Sequence, residues 1–193
     1  MKRIDSLLIM QQSRRRIFSS QDLRSILNIR NDNTLYKATE GLLKSGVIKK
    51  IAKGKYYLSI NKPDELQIAN FLYSPSYISF ESALNFYGIL IQASYPITSA
   101  TPLRAFHTTV DEREFNYSHL GPKLYFGYVK KNEVFIASPE KALADELYLV
   151  SKGIKDIDTA ELDLKMINKK IFSSVIKKFG YEPLNNLIKR IKL

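Results

Sequence analysis

The sequence predicts an α+β protein in two parts. Residues 1–62 form an N-terminal winged helix-turn-helix, and residues 63–193 form a mixed domain with a small antiparallel-containing sheet and several helices. Three observations lead to this prediction. Positive charge is concentrated in the first third, apolar spacing there indicates short helices followed by a β-hairpin, and β-prone runs alternate with helical ones in the rest. The polar, Pro-containing segment 61–64 marks the boundary.

Composition limits the classes of protein to which the chain can belong. A chain of 193 residues is long enough to bury a core without covalent cross-links. It contains no cysteine, which excludes disulfides, thiolate nucleophiles and cysteine-ligated metal sites. No window approaches the roughly 20 apolar residues of a membrane span, and the N-terminus lacks the features of a signal peptide. We therefore expect a cytoplasmic protein.

The formal net charge of +11 is unevenly distributed. Residues 1–62 hold 14 basic and 4 acidic side chains, whereas residues 63–193 hold 16 and 15. A strongly basic segment beside a nearly neutral one is typical of a module that binds a polyanion. A merely solvated basic face is the alternative, and the order of the predicted elements favours the binding module.

Three helices are predicted in the basic segment. An apolar side over residues 4–11 indicates the first, and the polar run Arg14-Arg15-Arg16 follows it. Ser19 and Asp22 have the spacing of a capping box, which begins the second helix with Phe18 as the staple residue. After a turn over residues 28–31, either Asp32 or Asn33 caps the third helix. The apolar positions of that helix are Leu35, Ala38, Leu42 and Leu43, and Gly46 ends it as a left-handed C-cap.

Two strands complete the first part. They cover residues 47–52 and 56–60, and the tight loop Lys53-Gly54-Lys55 joins them. Helix, helix, turn, helix and hairpin is the order of a winged helix-turn-helix, in which the third helix fits the major groove of DNA.

Residues on the third helix, before it and in the hairpin loop are the candidate DNA contacts. The candidates for base contacts are Asn33, Thr34, Tyr36 and Lys37, and Lys44 lies on the same outward face of the helix. The candidates for phosphate contacts are Arg30, Lys53 and Lys55. Further phosphate candidates are Arg14, Arg15 and Arg16. Two alternatives remain open. Asn33 either reads adenine or caps the helix, and Tyr36 either contacts DNA or covers the helix surface.

The second part is predicted to contain helices over 64–73 and 78–90, strands over 96–101 and 104–109, and a hairpin of strands 123–129 and 133–137. Ser138, Pro139 and Glu140 begin a further helix, because they supply a cap, a proline at the first position and an acid in the first turn. The tail, residues 151–193, is expected to form two or three small helices, broken near Gly180 and Pro183.

Three segments in the second part resemble those of a known family. Residues 77–88 (YISFESALNFYG), 96–101 (PITSAT) and 136–145 (IASPEKALAD) are similar to three segments of AbiEi-type antitoxins, in the same order and after a predicted winged helix. The resemblance covers about residues 1–150. It does not extend into the tail.

The resemblance implies a function. AbiEi-type proteins are antitoxins of type IV toxin–antitoxin and phage-defence systems, and they repress their own operon by binding inverted repeats upstream of it. Their companion toxin is nucleotidyltransferase-like, and it is opposed without a stable complex. The resemblance thus implies two partners: double-stranded DNA of the chain's own promoter, bound by a homodimer or by cooperative monomers, and a cognate toxin.

Two alternatives belong to other functional classes. The first is a nucleic-acid-processing enzyme with catalytic residues between 104 and 146, where Glu140, Lys141 and Asp145 are the residues to test. The cap chemistry of Ser138 and Pro139 already explains that segment, so we expect no enzyme activity. The second alternative is an adaptor whose winged helix binds a protein.

Cofactors and metals are not expected. The glycines are scattered rather than gathered in a phosphate-binding loop, and His107 and His119 are too few for a metal site. The acidic residues Asp111, Glu112 and Glu114 are predicted to lie in a solvated loop.

An aromatic group in the second part is expected to pack in its sheet rather than to bind single-stranded nucleic acid. Its members are Tyr117, Tyr125, Phe126, Tyr128 and Phe135. Tyr125 and Tyr128 are three residues apart in a predicted strand, so one of them should point away from the core.

Overall fold

Helices and strands are mixed along the chain in the computed structural model, which describes residues 3–13, 15–92 and 95–191. Over those ranges the strands form two sheets, of three and six strands, so the α+β prediction is confirmed. Contacts divide the chain into two units, Met1–Leu72 and Tyr73–Leu193. No helix in the described ranges is both long and apolar enough to cross a bilayer.

The first unit contains helices and strands in the order α1 (Arg3–Gln12), β1 (Ile17–Ser19), α2 (Ser20–Ile26), α3 (Asp32–Lys44), β2 (Ile48–Ala52), β3 (Lys55–Leu58) and α4 (Glu65–Leu72). Strand β3 lies between β1 and β2, and both pairings are antiparallel. One buried cluster joins the helices to this sheet, and its members are Met10, Phe18, Leu23, Leu27, Leu35, Leu42, Ile48, Tyr56 and Leu58.

Local sequence chemistry explains the ends of α2 and α3. Ser19 and Asp22 form the predicted capping box, in which each side chain accepts a hydrogen bond from the other's backbone N–H. Gly46, with φ of +69°, lies just beyond α3. Its N–H donates to the carbonyl of Leu43, and that of Val47 donates to Leu42, which is the Schellman pattern. The left-handed glycine is therefore confirmed.

Two features of the first unit differ from the sequence prediction. Strand β1 was not predicted, because its three residues are too few to show a period, and it exists by pairing Ile17 with Tyr57 and Ser19 with Lys55. The boundary predicted at residue 62 falls before α4, whereas α4 belongs to the first unit, which runs to Leu72.

The second unit begins with β4 (Tyr77–Ile78), α5 (Phe80–Phe86), β5 (Ile97–Thr101), β6 (Phe106–Val110), β7 (Arg113–His119), β8 (Tyr128–Lys131) and β9 (Val134–Ala137), and ends with α6 (Pro139–Ser151), α7 (Lys169–Phe179) and α8 (Glu182–Arg190). The strand order of its sheet is β6-β7-β5-β4-β9-β8. The pairs β4–β9 and β5–β7 are parallel, and the other three are antiparallel.

Some predicted elements of the second unit are wrong in type. Ile78, the first residue of the predicted helix 78–90, lies instead in β4, where it pairs with Ser99 on one side and Ile136 on the other, and the helix itself covers only Phe80–Phe86. In the predicted strand 123–129, Lys123 lies in a 3-10 turn, and strand β8 begins only at Tyr128. Short apolar runs do not distinguish helix from strand, because both bury such residues.

The predicted acidic loop is only partly a loop. Asp111 and Glu112 form the turn between β6 and β7, with φ of +47° and +64°, whereas Glu114 belongs to β7. The predicted start of α6 is confirmed, because the Ser138 side chain accepts from the N–H of Lys141 and Pro139 follows it. The break predicted near Gly180 is also confirmed, and its φ of +57° ends α7.

Candidate nucleic-acid interface

The outward face of α3 carries most of the predicted DNA contacts. Asn33, Tyr36, Lys37 and Lys44 are exposed, and their spacing of three, four and seven residues places them in one stripe along the helix. The opposite side of α3 is buried at Leu35, Thr39 and Leu42. Thr34, next to this stripe, is also exposed. The helix thus presents polar and basic groups to solvent while it is anchored by its apolar side.

The cap of α3 excludes one of the two roles considered for Asn33, that of the helix cap. The N-cap is Asn31, whose side chain accepts from the N–H of Asn33 at 2.9 Å and from the N–H of Thr34 at 3.2 Å. The prediction that Asp32 or Asn33 is the cap is therefore wrong by one or two positions, which is the usual uncertainty of a helix end. Asn33 lies within the first turn with its side chain exposed, as a base-reading residue requires.

Carboxylates near this face are paired with basic side chains. Asp22 binds Arg15, Asp32 binds Arg24, and Glu40 lies 3.2 Å from Lys44. Glu40 is the acidic member of the stripe on α3, so Lys44 is partly neutralised by it. Lys37, one turn before Glu40, is an exposed cation within the N-terminal half of the helix. That half is where recognition helices contact bases.

The two lysines of the hairpin loop are in different surroundings. Lys53 is exposed at the turn next to Gly54, whose φ is +71°. Lys55 is half-buried, and its ammonium group donates to the carbonyls of Phe71, at 3.0 Å, and Leu72 at the end of α4. Burial lowers the pKa of Lys55. Lys55 therefore stabilises the end of α4, and Lys53 is the cation that the turn offers to a ligand.

Other basic residues extend the positive surface of the first unit. Arg30 is exposed just before α3, and Arg24 donates to its carbonyl at 2.7 Å. Lys49 and Lys50 of β2 are both exposed although they are neighbours in a strand, and sequence reasoning did not select them. The signal in the sequence was the pair of adjacent lysines. In the structure, the pairing of β2 with β3 shifts register after Lys50. Arg15 and Arg16 are exposed, and Arg14 lies outside the described residues.

The exposed ring of Tyr36 is the largest aromatic surface on α3. Its exposed fraction is 69 %, so most of the ring is accessible to a ligand, and both roles considered for Tyr36 stay open. An aromatic ring held at the centre of a polar stripe can stack on a base or contact a thymine methyl group.

The second unit contains a buried polar cluster that sequence reasoning treated only as cap chemistry. Lys141 and Asp145, one turn apart on α6, form an ion pair with no exposed surface. Asp145 also accepts hydrogen bonds from the hydroxyls of Tyr77, at 3.0 Å, and Ser79, at 2.8 Å. Burial raises the pKa of Asp145 and lowers that of Lys141. In this structure neither side chain is accessible to a substrate.

Aromatic rings and a glycine surround the lysine of this cluster. The ammonium nitrogen of Lys141 lies 4.9 Å from the ring centre of Phe126 and 5.0 Å from that of Phe179. Gly127 leaves room for the lysine stem, since a Cβ there would come within 3.0 Å of the Lys141 side chain. Rings supply part of the stabilisation that water would otherwise give to the charge.

A second charged group adjoins the cluster on α6. Lys155 binds Glu81 and also donates to Glu146 at 3.1 Å. Glu146 is 1 % exposed, and its burial, together with the neighbouring charge of Glu81, raises its pKa to about 7. Glu140, which was considered as a catalytic candidate, is also buried and accepts from the N–H of Asn168 at 3.1 Å.

The aromatic group packs largely as predicted. The prediction that Tyr125 and Tyr128 point to opposite sides of one strand is wrong. Tyr125 lies outside β8, so both Tyr125 and Tyr128 contact Tyr77, with ring centres 5.1 and 4.7 Å away. Tyr117 is buried, whereas Phe135 is 42 % exposed.

The two histidines lie in neighbouring strands of the same sheet. His107 is exposed on β6, and Nδ1 of His119, on β7, lies 2.6 Å from the carbonyl oxygen of Leu103. In the described part of the chain, no three His, Cys, Asp or Glu side chains are grouped as a metal site requires. No family model matches the chain, and no curated protein is significantly similar to it.

Proposed function

We propose that the protein is a cytoplasmic, DNA-binding transcriptional repressor of the AbiEi antitoxin type, whose first unit is a winged helix-turn-helix. The observation that carries the proposal is the exposed stripe of α3, which places Asn33, Tyr36 and Lys37 on a helix whose other side is buried. A helix of this kind fits the major groove, where amide and ammonium groups distinguish base pairs.

The order of elements supports the winged-helix part of the proposal. Helices α2 and α3 are joined by a short turn, and the antiparallel hairpin β2–β3 follows α3 directly. The turn of this hairpin carries Lys53 for a phosphate contact next to the base-reading helix. Asp22 and Asp32 each pair with an arginine, and residues 1–62 still hold 14 basic side chains against 4 acidic ones, which favours binding of a polyanion.

The antitoxin part of the proposal rests on the three segments that resemble AbiEi proteins. These segments correspond to β4 with α5, to β5, and to β9 with the start of α6. Strand β4 pairs with β5 and with β9, and Asp145 on α6 binds Tyr77 of β4 and Ser79, which follows it. The segments thus form one packed assembly, which is a physical reason for them to occur together. Antagonism of a nucleotidyltransferase-like toxin is proposed on the resemblance alone.

Replacement of Lys37 tests whether α3 binds DNA. Fluorescence anisotropy of the full chain on duplex from upstream of its own gene should show that Lys37→Ala weakens binding by about 1–3 kcal/mol, if Lys37 contacts a base. The matched control is Lys123→Ala, which removes an equal charge from an exposed position in the second unit and should leave the affinity nearly unchanged. Equal affinities for both variants would contradict a DNA contact by Lys37.

A further inference from the structure

Among the residues that the structure describes, one edge of the six-stranded sheet carries few of the features that block pairing with another strand. Strand β6 is the terminal strand of the sheet, and it pairs with β7 alone. Its five residues, Phe106–Val110, carry no acidic or basic side chain apart from His107, and three of them, Phe106, His107 and Thr109, are exposed. The edge strands of β-sheets are usually blocked by charges, prolines or covering segments, because an open edge strand offers unpaired N–H and C=O groups with which another strand can pair.

The opposite edge of the same sheet shows the usual protection. Strand β8 ends in Lys130 and Lys131, both exposed, and Lys130 pairs with Glu133 across the hairpin turn. Charged side chains of this kind disfavour the addition of a further strand. The two edges of one sheet therefore differ, and β6 is the edge that can accept a partner.

The sequence around β6 is complementary to itself when read in opposite directions. If two copies pair antiparallel about a two-fold axis at Thr108, Phe106 of each copy lies opposite Val110 of the other, and His107 lies opposite Thr109. These are an aromatic–aliphatic pair and a polar pair, both favourable across strands. A parallel arrangement would instead place each residue beside its own copy.

Charges at the two ends of β6 agree with the same arrangement. Arg104 lies two residues before the strand, and Asp111 and Glu112 form the turn directly after it. All three are exposed. Antiparallel pairing about Thr108 brings Arg104 of one copy to the acidic turn of the other, twice by symmetry. In a parallel pair, Arg104 would face Arg104, and the acids would face each other.

We propose that β6 is the surface through which two copies of this chain associate, so that their sheets join as one antiparallel sheet across a two-fold axis at Thr108. Five residues a side bury less than the roughly 1,000 Å² of a stable interface, so the dimer is weak and reversible. The proposal does not depend on DNA binding. If the proposed repressor function is correct, a two-fold dimer suits the two halves of an inverted repeat.

The position on the axis allows a sharp test, because Thr108 would pair with itself. Sedimentation velocity of the full chain, without DNA, should show association that increases with concentration. Thr108→Lys and Thr108→Glu should each weaken this association about fivefold or more, since like charges then lie directly opposite. An equimolar mixture of the two variants should associate more strongly than either alone, because Lys and Glu then face each other.

The mixture separates loss of the contact from loss of folding, since unfolded variants do not restore association. Val129→Lys and Val129→Glu on exposed β8 are the matched controls and should leave association unchanged. If thermal unfolding shows that the Thr108 variants do not fold, the double variants His107→Lys/Thr109→Lys and His107→Glu/Thr109→Glu replace them, because exposed His107 and Thr109 lie opposite each other across the axis. A chain that stays monomeric at every concentration, or a mixture that behaves like its components, would overturn the proposal.

Discussion

Two lysines in one hairpin loop illustrate how little a side chain's type says about its role. Lys53 and Lys55 are equivalent in the sequence, and both are candidates for phosphate contacts. In the structure Lys53 is exposed, whereas the ammonium group of Lys55 is held by the carbonyls of Phe71 and Leu72. Chain segments 16 or more residues apart create this difference, so no local pattern could have predicted it.

These surroundings predict opposite effects of two alanine substitutions. The slope of the logarithm of the DNA-binding constant against the logarithm of salt concentration should become shallower by about 0.9 in Lys53→Ala, because one phosphate contact is lost. The stability of this variant should be unchanged. Lys55→Ala should keep the slope and lower the free energy of unfolding by about 1–2 kcal/mol, because hydrogen bonds from a charged group are lost. Anisotropy at several salt concentrations and urea denaturation measure the two quantities. A slope lowered by Lys55→Ala but not by Lys53→Ala would contradict this assignment.

The raised pKa of Glu146 should make the stability of the protein depend on pH. Its pKa of about 7 in the folded chain lies above the usual 4.5, so the folded state binds more protons than the unfolded state between these values. Stability therefore falls as the pH rises from about 4.5 to 7. Glu146→Gln should remove this dependence and raise the free energy of unfolding at pH 8 by on the order of 2–3 kcal/mol.

Denaturation of wild type and variant at pH 5 and pH 8 checks the effect of Glu146. The matched control is Glu133→Gln, whose side chain is largely exposed and pairs with Lys130 across a turn. A pH dependence that is the same in wild type and Glu146→Gln would show that burial does not perturb Glu146.

At the scale of elements, α6 is attached to the sheet through its charged residues as well as its apolar ones. The pair Lys141–Asp145 connects the helix to Tyr77 and Ser79. Asp145→Ala would leave a buried, unpaired lysine, and we expect it to lower the free energy of unfolding by about 3–5 kcal/mol. The double variant Lys141→Met/Asp145→Leu should recover most of this loss, because it buries no charge.

Urea denaturation compares these α6 variants with Asp156→Ala, which removes an exposed acid and should have little effect. A double variant as unstable as Asp145→Ala would mean that the cluster supplies more than the pairing of its charges.

Elements whose ends depend on local chemistry could be predicted from the sequence, and elements that depend on distant partners could not. The capping box at Ser19, the left-handed Gly46 and the start of α6 at Ser138 each follow from a few adjacent residues. Strands β1 and β4 are two or three residues long and exist because Tyr57 and Ser99 are their neighbours. Sequence patterns carry no information about such pairings.

The candidate site follows the same division. The outward face of α3 was predicted from helical spacing, and its exposure confirms that part of the pattern. The cap at Asn31 and the engagement of Lys55 required the structure. The burial of Lys141, Asp145 and Glu146 could not be predicted, since charged residues on a helix usually face water.

At the scale of the whole molecule, the charge is divided between the units much as the sequence indicates. The first unit, Met1–Leu72, contains the basic segment and also α4, whose last carbonyls hold Lys55. The second unit contains the sheet, the buried cluster on α6 and the open edge β6. We thus propose that the first unit recognises DNA and that the second mediates self-association and toxin antagonism.

The proposed function requires the chain to recognise a specific duplex through its first unit. The most direct measurement is fluorescence anisotropy of the full chain on duplex from upstream of its own gene, with scrambled duplex as competitor, at several salt concentrations. We expect a preference for the upstream duplex of roughly a thousandfold or more, with affinity that falls steeply as salt increases. Absence of binding to either duplex, or binding that does not respond to salt, would contradict it and favour an adaptor that binds a protein.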